Sequence, residues 1–295
     1  MRLARSLMFV PGHRQGMLDK ALALTTLDVA LLDLEDGVPP AEKERARTLV
    51  AAALARTRER PRRFVRVNSI ASDQFEADVT AVVRPGLEGL LLSKVESPED
   101  VRRADARVAE RERQGGLTAG AVSLIVAIES ALGLLRALDL ATASPRVTGL
   151  MFGGEDYAND LGLPADRQGE ARDQVHARAS VVVAAAAARV QSFDSIWPDI
   201  NDTEGLRRDS VLARRLGFTG KTLIHPSQID VINEALTPNE SDVDRARRVV
   251  AAFEEAQRKG DGAIAFEGQM IDRPIVERAR RVIALYEAAR PRPSR

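Results

Sequence analysis

Short apolar runs that end in polar or charged residues recur along this chain, and their repetition constrains its fold more than any other feature. Eight runs can be read, at Ser6–Val10, Val29–Leu34, Phe64–Val67, Gly89–Leu92, Ser123–Ile128, Val147–Phe152, Phe193–Ile196 and Lys221–Ile224. Helical patterns separate the runs, and short apolar strands that alternate with helices are typical of a parallel sheet. Eight of them predict an α/β fold, a closed (β/α)8 TIM barrel, whose active site lies at the carboxyl ends of the strands.

The composition limits the size, the partners and the chemistry. A chain of 295 residues suits one such barrel with modest additions. Lys+Arg and Asp+Glu are equal at 43 each, so the net charge gives no argument for nucleic acid or for an anionic membrane. Cysteine is absent, which excludes disulfides, thiolate catalysis and sulfur-ligated metals. No apolar run approaches the ~18–20 residues of a membrane span and no signal peptide can be read, so we expect a cytoplasmic protein.

The barrel repeat ends after the eighth run. Ser241–Lys259 has the pattern of a charged amphipathic helix, and Gly260–Gly262 is a turn signal. The segment Gly268–Pro274 then leads into a final helix. We therefore expect the catalytic barrel over residues 1–240 and a C-terminal helical extension over residues 241–295. Such an extension could pack on its own barrel or reach over a neighbour's.

Acidic residues follow two consecutive runs of the predicted barrel. Glu129 ends the fifth run, and Glu155 and Asp156 follow the sixth. Neighbouring strands lie ~4.8 Å apart, so carboxylates at these two ends can hold one small ion. Oxygen ligands alone favour Mg²⁺ over zinc or copper. Alternatively, these acids pair with basic residues or cap the next helix, although the glycine pair at 153–154 favours a close approach of the backbone to a ligand.

Arg66 lies inside an apolar run, where a charge needs a partner or a substrate anion. A guanidinium at a barrel mouth suits bidentate binding of a carboxylate. Its alternative is a structural ion pair with Glu35 or Asp36 on the adjacent strand. These two acids could in turn orient the water of a metal ion.

Three basic positions could contact a ligand. Arg14 lies on the loop that follows Pro11-Gly12, and Lys20 comes one helical turn further along the chain. Both could hold a phosphorylated ligand, although surface cations are more often only solvated. His225 ends the last run, where it could line the site or form local hydrogen bonds.

Eight motifs occur in a recognisable order along the chain. They are Ser6–Gly12, Asp33–Val38, Arg66–Asn68, Ala127–Ser130, Phe152–Tyr157, Asp202–Leu206, Gly220–Pro226 and Gly268–Pro274. Together they resemble the citrate lyase β-subunit-like family, in the superfamily of malyl-CoA and citramalyl-CoA lyases and HpcH/HpaI aldolases. The resemblance covers nearly the whole chain.

The resemblance implies a Mg²⁺-dependent carbon–carbon lyase or synthase. Its substrate would be a 3-hydroxyacyl-CoA such as malyl-CoA or citramalyl-CoA, and its products an acyl-CoA and a 2-oxo acid. Glu129 and Asp156 would ligate Mg²⁺, and Arg66 would bind the oxo or carboxylate group. The resemblance also implies a homo-oligomer, a trimer or a hexamer.

The remaining roles also follow from the resemblance. Glu35 and Asp36 would support the water shell of the metal. Asp272, on the C-terminal extension, would enter the site of a neighbouring subunit as the catalytic acid or base. The substrate and CoA contacts would come from Pro11, Gly12, Arg14, Lys20, Gly154, Glu155 and His225.

Three other functions remain open. The chain could be the β subunit of a multisubunit citrate lyase, which cleaves a carrier-bound citryl thioester to oxaloacetate. It could be a pyruvate-type aldolase that acts on a free hydroxy-oxo acid without CoA. It could also be a non-catalytic barrel that binds an acyl-CoA or a partner protein.

Overall fold

Eight parallel strands close into a barrel in chain order in the computed structural model, which describes residues 3–56, 60–164 and 171–289. The strands are β1 (Ser6–Pro11), β2 (Val29–Asp33), β3 (Arg62–Val67), β4 (Gly89–Leu92), β5 (Ser123–Ile128), β6 (Val147–Phe152), β7 (Gln191–Asp194) and β8 (Gly220–Leu223). The barrel closes where β1 pairs with β8, with Ser6 opposite Lys221. The predicted (β/α)8 barrel is confirmed.

Several predicted strand bounds differ from the structure by one or two residues: β3, for example, begins at Arg62 rather than Phe64, and the seventh strand differs at both ends. It was expected over Phe193–Ile196, but β7 begins at Gln191 and ends at Asp194. Gln191 and Ser192 are polar, so they do not read as part of an apolar run. Their backbones nevertheless pair with Gly149 and Leu150 of β6.

Helices follow the strands of the barrel. They are α1 (Gln15–Leu22), α2 (Lys43–Leu54), α3 (Phe75–Val82), α4 (Pro98–Gln114), α5 (Ala131–Leu135), α6 (Ala137–Thr142), α7 (Gly154–Asp160), α8 (Val175–Ala188), α9 (Thr203–Leu216) and α10 (Ile229–Leu236). Short 3-10 helices lie at Pro40–Glu42, Arg172–Gln174 and Pro226–Gln228. A capping box begins α4, because the Ser97 hydroxyl accepts from the Asp100 backbone N–H and the Asp100 carboxylate accepts from that of Ser97.

The interior of the barrel is apolar. Buried side chains from seven of the strands fill it, namely Leu7, Val29, Leu31, Phe64, Leu91, Ile125, Ala127, Met151 and Phe193. Layers of branched and aromatic side chains of this kind leave no polar channel through a barrel. Polar chemistry inside the strand ring is therefore confined to the carboxyl ends of the strands.

A buried ionic network lies between β7, β8, α8 and α9. Arg178 donates to both carboxylate oxygens of Asp194, at 3.0 and 2.7 Å. The Lys221 ammonium lies 2.7 Å from Asp194 and 2.6 Å from Asp209. Arg178 also contacts Asp209 at 3.0 Å. Two cations and two anions balance, so this network needs no ligand to compensate its charge.

The residues that follow the barrel form a second compact unit. The division falls within α10, between Asn233 and Glu234. The predicted domain boundary, between residues 240 and 241, stays a prediction. The elements of the second unit are α11 (Glu240–Arg258), the hairpin strands β9 (Ile264–Phe266) and β10 (Gln269–Ile271), and α12 (Arg273–Ala289). Its core includes Val249, Phe253 and Val276. The last six residues of the predicted extension, 290–295, lie outside the described residues.

Across the described residues, we find no helix with the length and apolarity that a membrane span requires.

Candidate active site

Arg66 is held in place by two carboxylates at the mouth of the barrel. It lies opposite Asp33 in the register of β2 and β3. Its Nε and Nη2 donate to the two oxygens of Asp33, each at 2.7 Å, and its Nη1 lies 3.0 Å from a Glu35 oxygen. The guanidinium also stacks over the ring of Phe9, 4.7 Å from the centroid. Pairing with Glu35 was an expected alternative, but Asp33 was not identified from the sequence.

Asp33 fixes both Arg66 and the loop that follows β2. One of its oxygens also accepts the backbone N–H of Glu35, and the other accepts that of Gly37, each at 2.9 Å. The buried carboxylate thus has four donors. The register of β2 and β3 was the missing signal, because it places the last residue of β2 directly opposite Arg66.

Glu129 is a buried carboxylate at the end of β5. Only 6% of the residue is exposed, and its Oε2 accepts the backbone N–H of Lys94 at 2.8 Å. Burial, together with the nearby charges of Asp156 and Glu35, raises the pKa of Glu129 to about 7. A Cβ at Gly153 would lie 2.3 Å from the Cγ of Glu129, so this glycine makes room for the side chain. A buried carboxylate next to other carboxylates favours a bound cation.

Asp156 shares a groove with Glu129. It lies in the first turn of α7, and the groove is lined by Lys94, Val95, Glu96, Glu129, Ser130, Asp156, Asn159 and Asp160. Among residues 3–56, 60–164 and 171–289, no group of three or more His, Cys, Asp or Glu side chains is arranged to hold a metal ion. A hard divalent cation that keeps several waters and takes one or two protein carboxylates fits this donor set.

Glu35 and Asp36 lie beside the same groove and share one cation. The ammonium of Lys94 lies 2.7 Å from a Glu35 oxygen and 3.1 Å from an Asp36 oxygen. Burial raises the pKa of Glu35, and the charges of Arg66 and Lys94 oppose that shift only in part. The sequence indicated both acids but gave no role to Lys94.

The first loop forms the wall of a second cleft. The Gly12 backbone N–H donates to the Asp33 carbonyl at 2.8 Å, and a Cβ at Gly12 would lie 2.5 Å from that oxygen. Arg14 donates from its Nε to the Nε2 of the buried His13 at 2.9 Å. The residues of this cleft are His13, Arg14, Glu35, Asp36, Gly37, Val38, Pro39, Pro40 and Lys43. Pro11 ends β1 beside them, whereas Lys20 is exposed on α1 and is not one of the lining residues.

Two other predicted ligand-binding residues, Gly154 and His225, form hydrogen bonds within the protein. The Gly154 backbone N–H donates to Ser195 at 3.1 Å, and Glu155 is exposed next to it on α7. His225 forms local hydrogen bonds, because its Nδ1 lies 2.8 Å from the Ser227 hydroxyl and also accepts the Ser227 backbone N–H. Ligand contacts by these residues stay predictions.

Asp272 lies in the second unit, between β10 and α12. Its carboxylate accepts the backbone N–H of Ile275 at 3.4 Å, and its carbonyl accepts those of Ile275 and Val276 at 3.1 Å. The residue therefore stabilises the start of α12. Its predicted role at a neighbour's site stays a prediction.

Known proteins resemble this chain over nearly its whole length. Residues 5–226 match the HpcH/HpaI aldolase/citrate lyase family. The chain is 38% identical over 276 residues to the citrate lyase subunit beta of Leuconostoc mesenteroides subsp. cremoris, covering 93% of this chain and 90% of that protein. It is 34% identical over 283 residues to the mitochondrial citramalyl-CoA lyase of Homo sapiens, covering 92% of this chain and 82% of that protein.

A solved structure is similar over both units. The crystal structure of the protein CitE from Mycobacterium tuberculosis, in complex with magnesium, acetoacetate and coenzyme A, gives a TM-score of 0.78 at 31% identity. The match covers 97% of this chain and 98% of that chain.

Proposed function

The chain belongs to the HpcH/HpaI aldolase/citrate lyase family and is a carbon–carbon lyase of its citrate lyase β-subunit-like group, and on that premise we propose its substrate, its metal and its reacting residues. The substrate is a 3-hydroxyacyl-CoA such as malyl-CoA or citramalyl-CoA, which is cleaved to an acyl-CoA and a 2-oxo acid. The observation that carries this proposal is the buried Glu129, which shares a groove with Asp156 beside Arg66 and Glu35. Further support comes from the M. tuberculosis protein, which was solved with magnesium, acetoacetate and coenzyme A.

Glu129 and Asp156 are the proposed Mg²⁺ ligands, and Glu35 and Asp36 support its water shell. When bound, Mg²⁺ supplies Lewis-acid stabilisation of the negative charge that develops on oxygen as the carbon–carbon bond breaks. A carboxylate that is buried among like charges loses its solvation, and a divalent cation compensates for that loss.

Arg66 is proposed to bind the carboxylate or oxo group of the substrate. Its contacts to Asp33 and Glu35 use three N–H groups, which leaves two of the five on a guanidinium for a ligand. Asp33 and Glu35 fix the orientation of these two donors before the substrate binds. A donor that is oriented in advance stabilises developing charge without reorganising during the reaction.

We expect Asp33→Asn to lower kcat/KM roughly 10–100-fold, as loss of an orienting partner typically does. An amide replaces one acceptor atom by a donor, so it cannot accept all four of the hydrogen bonds that Asp33 accepts and it disturbs Arg66. Steady-state kinetics would measure the effect. Asp28→Asn is the matched control, because Asp28 is also buried and accepts from Arg5, but lies ahead of β2 rather than at its carboxyl end. Equal losses of kcat/KM in both variants would contradict the role of Asp33.

Asp272 is proposed as the acid or base, supplied by a neighbouring subunit of a trimer or hexamer. In cleavage, it donates a proton to the carbon of the acyl-CoA product that the broken carbon–carbon bond leaves behind. In condensation, it removes that proton. The proposed contacts to CoA and to the substrate are Pro11, Gly12, Arg14, Lys20, Gly154, Glu155 and His225.

A carrier-bound citryl thioester is the second candidate substrate. The 38% identity to a citrate lyase subunit beta favours it. The two candidates differ in the carrier of the thioester and in the acyl group, so direct assays can separate them.

Mass spectrometry of the purified chain with a substrate panel tests the proposal. The panel contains Mg²⁺ with malyl-, citramalyl- or β-methylmalyl-CoA, with acetyl- or propionyl-CoA plus glyoxylate or pyruvate, and with citryl thioester on an acyl-carrier protein. EDTA and Glu129→Ala serve as controls. Metal-dependent product from a CoA ester supports the first candidate, and product from the carrier alone supports the second. No product from folded protein would contradict both.

We expect the affinity for divalent metal to depend on pH because of Glu129. Its pKa is raised to about 7, and a metal binds the ionised carboxylate, so protons compete with the metal below that pH. The Mn²⁺ dissociation constant should therefore rise about tenfold for each pH unit below 7 and level off above it. Mn²⁺ titrations followed by electron paramagnetic resonance between pH 5.5 and 8.5 would measure this. A dissociation constant that does not change across this range would contradict the assignment.

A further inference from the structure

The backbone of Lys94 has a conformation that lysine rarely adopts. Its φ is 55°, in the left-handed region, and it lies two residues after the end of β4. A side chain with a Cβ is strained in this region, and such strain persists only where the surrounding structure holds it. Arg189 has a similar φ of 58°, but it is the C-cap of α8, where left-handed residues are common.

In this conformation Lys94 contacts three carboxylates of the proposed site at once. Its backbone N–H donates to Glu129 at 2.8 Å. Its ammonium, on the side chain of the same residue, lies 2.7 Å from Glu35 and 3.1 Å from Asp36. Glu129 follows β5 and Glu35 follows β2, so one residue connects acids from two separate strands.

Each contact restrains one oxygen of a carboxylate. The Lys94 backbone N–H fixes one oxygen of the buried Glu129. Glu35 is held from both sides, since one oxygen faces Lys94 and the other faces Arg66 at 3.0 Å. Arg66 and the Asp36 backbone N–H contact only the Oε2 of Glu35, so loss of the ammonium would remove the contact to its Oε1.

We propose that Lys94 is a positioning residue, whose strained backbone and ammonium together set the placement of Glu129 and Glu35 around the metal. This inference rests on the proposed metal site, and it adds a residue that neither contacts the metal nor reacts. It predicts that a substitution that relieves the backbone strain at Lys94 will not improve activity.

Three variants of Lys94 separate the effect of the ammonium from the effect of the backbone strain. Lys94→Met removes the ammonium but keeps a residue with a Cβ, whereas Lys94→Gly removes the ammonium and also the strain. Lys94→Arg keeps both the charge and the strain. The matched pair is Arg189→Gly and Arg189→Met, which makes the same changes at an exposed left-handed residue at the end of α8. For each variant, the measurements are the Tm of the metal-free protein, the Mn²⁺ dissociation constant and kcat/KM.

We expect the Tm to change in a different direction from the Mn²⁺ affinity and kcat/KM when the strain at Lys94 is relieved. Lys94→Gly should melt roughly 1–4 °C above Lys94→Met, and the Arg189 pair should show a similar difference. Both Lys94→Gly and Lys94→Met should nevertheless lose roughly 10–100-fold in Mn²⁺ affinity and in kcat/KM. Lys94→Arg should retain most of both, and the Arg189 variants should match the wild type in both.

Two outcomes would overturn the inference. The first is wild-type Mn²⁺ affinity and turnover in Lys94→Gly and Lys94→Met, which would make Lys94 an ordinary surface cation. The second is function that follows Tm across all variants, which would reduce Lys94 to a residue that stabilises the fold. If the wild type binds Mn²⁺ but cleaves no thioester, the proposed reaction fails, and the order of Mn²⁺ affinities still decides the role of Lys94.

Discussion

Asp272→Asn is expected to lower kcat by roughly two to four orders of magnitude, the usual contribution of a general acid or base. The amide has the shape of the carboxylate but cannot carry the proton. It can still accept the Ile275 backbone N–H, and asparagine is as good as aspartate at the start of a helix, so α12 should remain folded. Mn²⁺ affinity should also remain, because Asp272 is not a proposed ligand.

Steady-state kinetics and Mn²⁺ titration of the variant would measure both expectations. Asp244→Asn, which removes an exposed acid from α11 of the same unit, is the control and should keep wild-type turnover. Near-normal turnover in Asp272→Asn would exclude the acid–base role.

Mixing two inactive variants shows which subunit supplies Asp272. If a neighbouring subunit supplies Asp272, as proposed, then a 1:1 mixture of Asp272→Asn and Glu129→Gln chains, dissociated and reassembled together, contains sites in which Glu129 comes from one chain and Asp272 from its neighbour. Random assembly of a symmetric ring gives about a quarter of the sites both residues, so activity should return to about a quarter of the wild-type value. If each chain supplied both residues to its own site, the mixture would stay inactive.

The fold could be read from the sequence because a parallel barrel repeats one signal eight times. Each strand is buried on both faces, so it appears as a short apolar run, and helical segments separate the runs. The predicted strand bounds differ most where strand residues are polar or charged. Gln191 and Ser192 take part in β7 through their backbones, and no periodicity of apolar side chains reveals that.

The sequence identified only those candidate site residues that lie at or near the ends of predicted strands. Glu129, Asp156, Arg66 and Glu35 were identified as candidates in this way, and the structure brings them to one end of the barrel; their roles stay predictions. Asp33 and Lys94 were missed because their importance depends on three-dimensional relations: a register across β2 and β3, and a left-handed backbone after β4. Neither relation leaves a local pattern in the sequence.

Glu129→Gln is expected to weaken Mn²⁺ binding by at least about 100-fold, since even a residue that only orients a ligand typically contributes 10–100-fold. The same substitution should stabilise the metal-free protein at pH 8. Burial raises the pKa of Glu129 from its usual value of 4.5 to about 7. At a pH between these two values, the folded state holds a proton that the unfolded state has already released. The contribution of Glu129 to the stability of the metal-free wild type therefore falls as the pH rises from about 4.5 to 7. Above pH 7 the charged side chain costs up to about 3 kcal/mol, which a neutral glutamine avoids.

Glu112→Gln is the matched control, and it should show the opposite result. Glu112 is also buried, with 1% of the residue exposed. It accepts from Arg146 and from the backbone N–H groups of Gly120 and Val122, and these contacts lower its pKa despite the opposing effect of burial. Its replacement should therefore destabilise the protein at pH 8 and leave Mn²⁺ affinity unchanged. Urea unfolding and Mn²⁺ titration of both variants would measure the four quantities. A loss of stability without a loss of affinity in Glu129→Gln would make Glu129 a structural acid like Glu112, and the metal would then have to bind elsewhere.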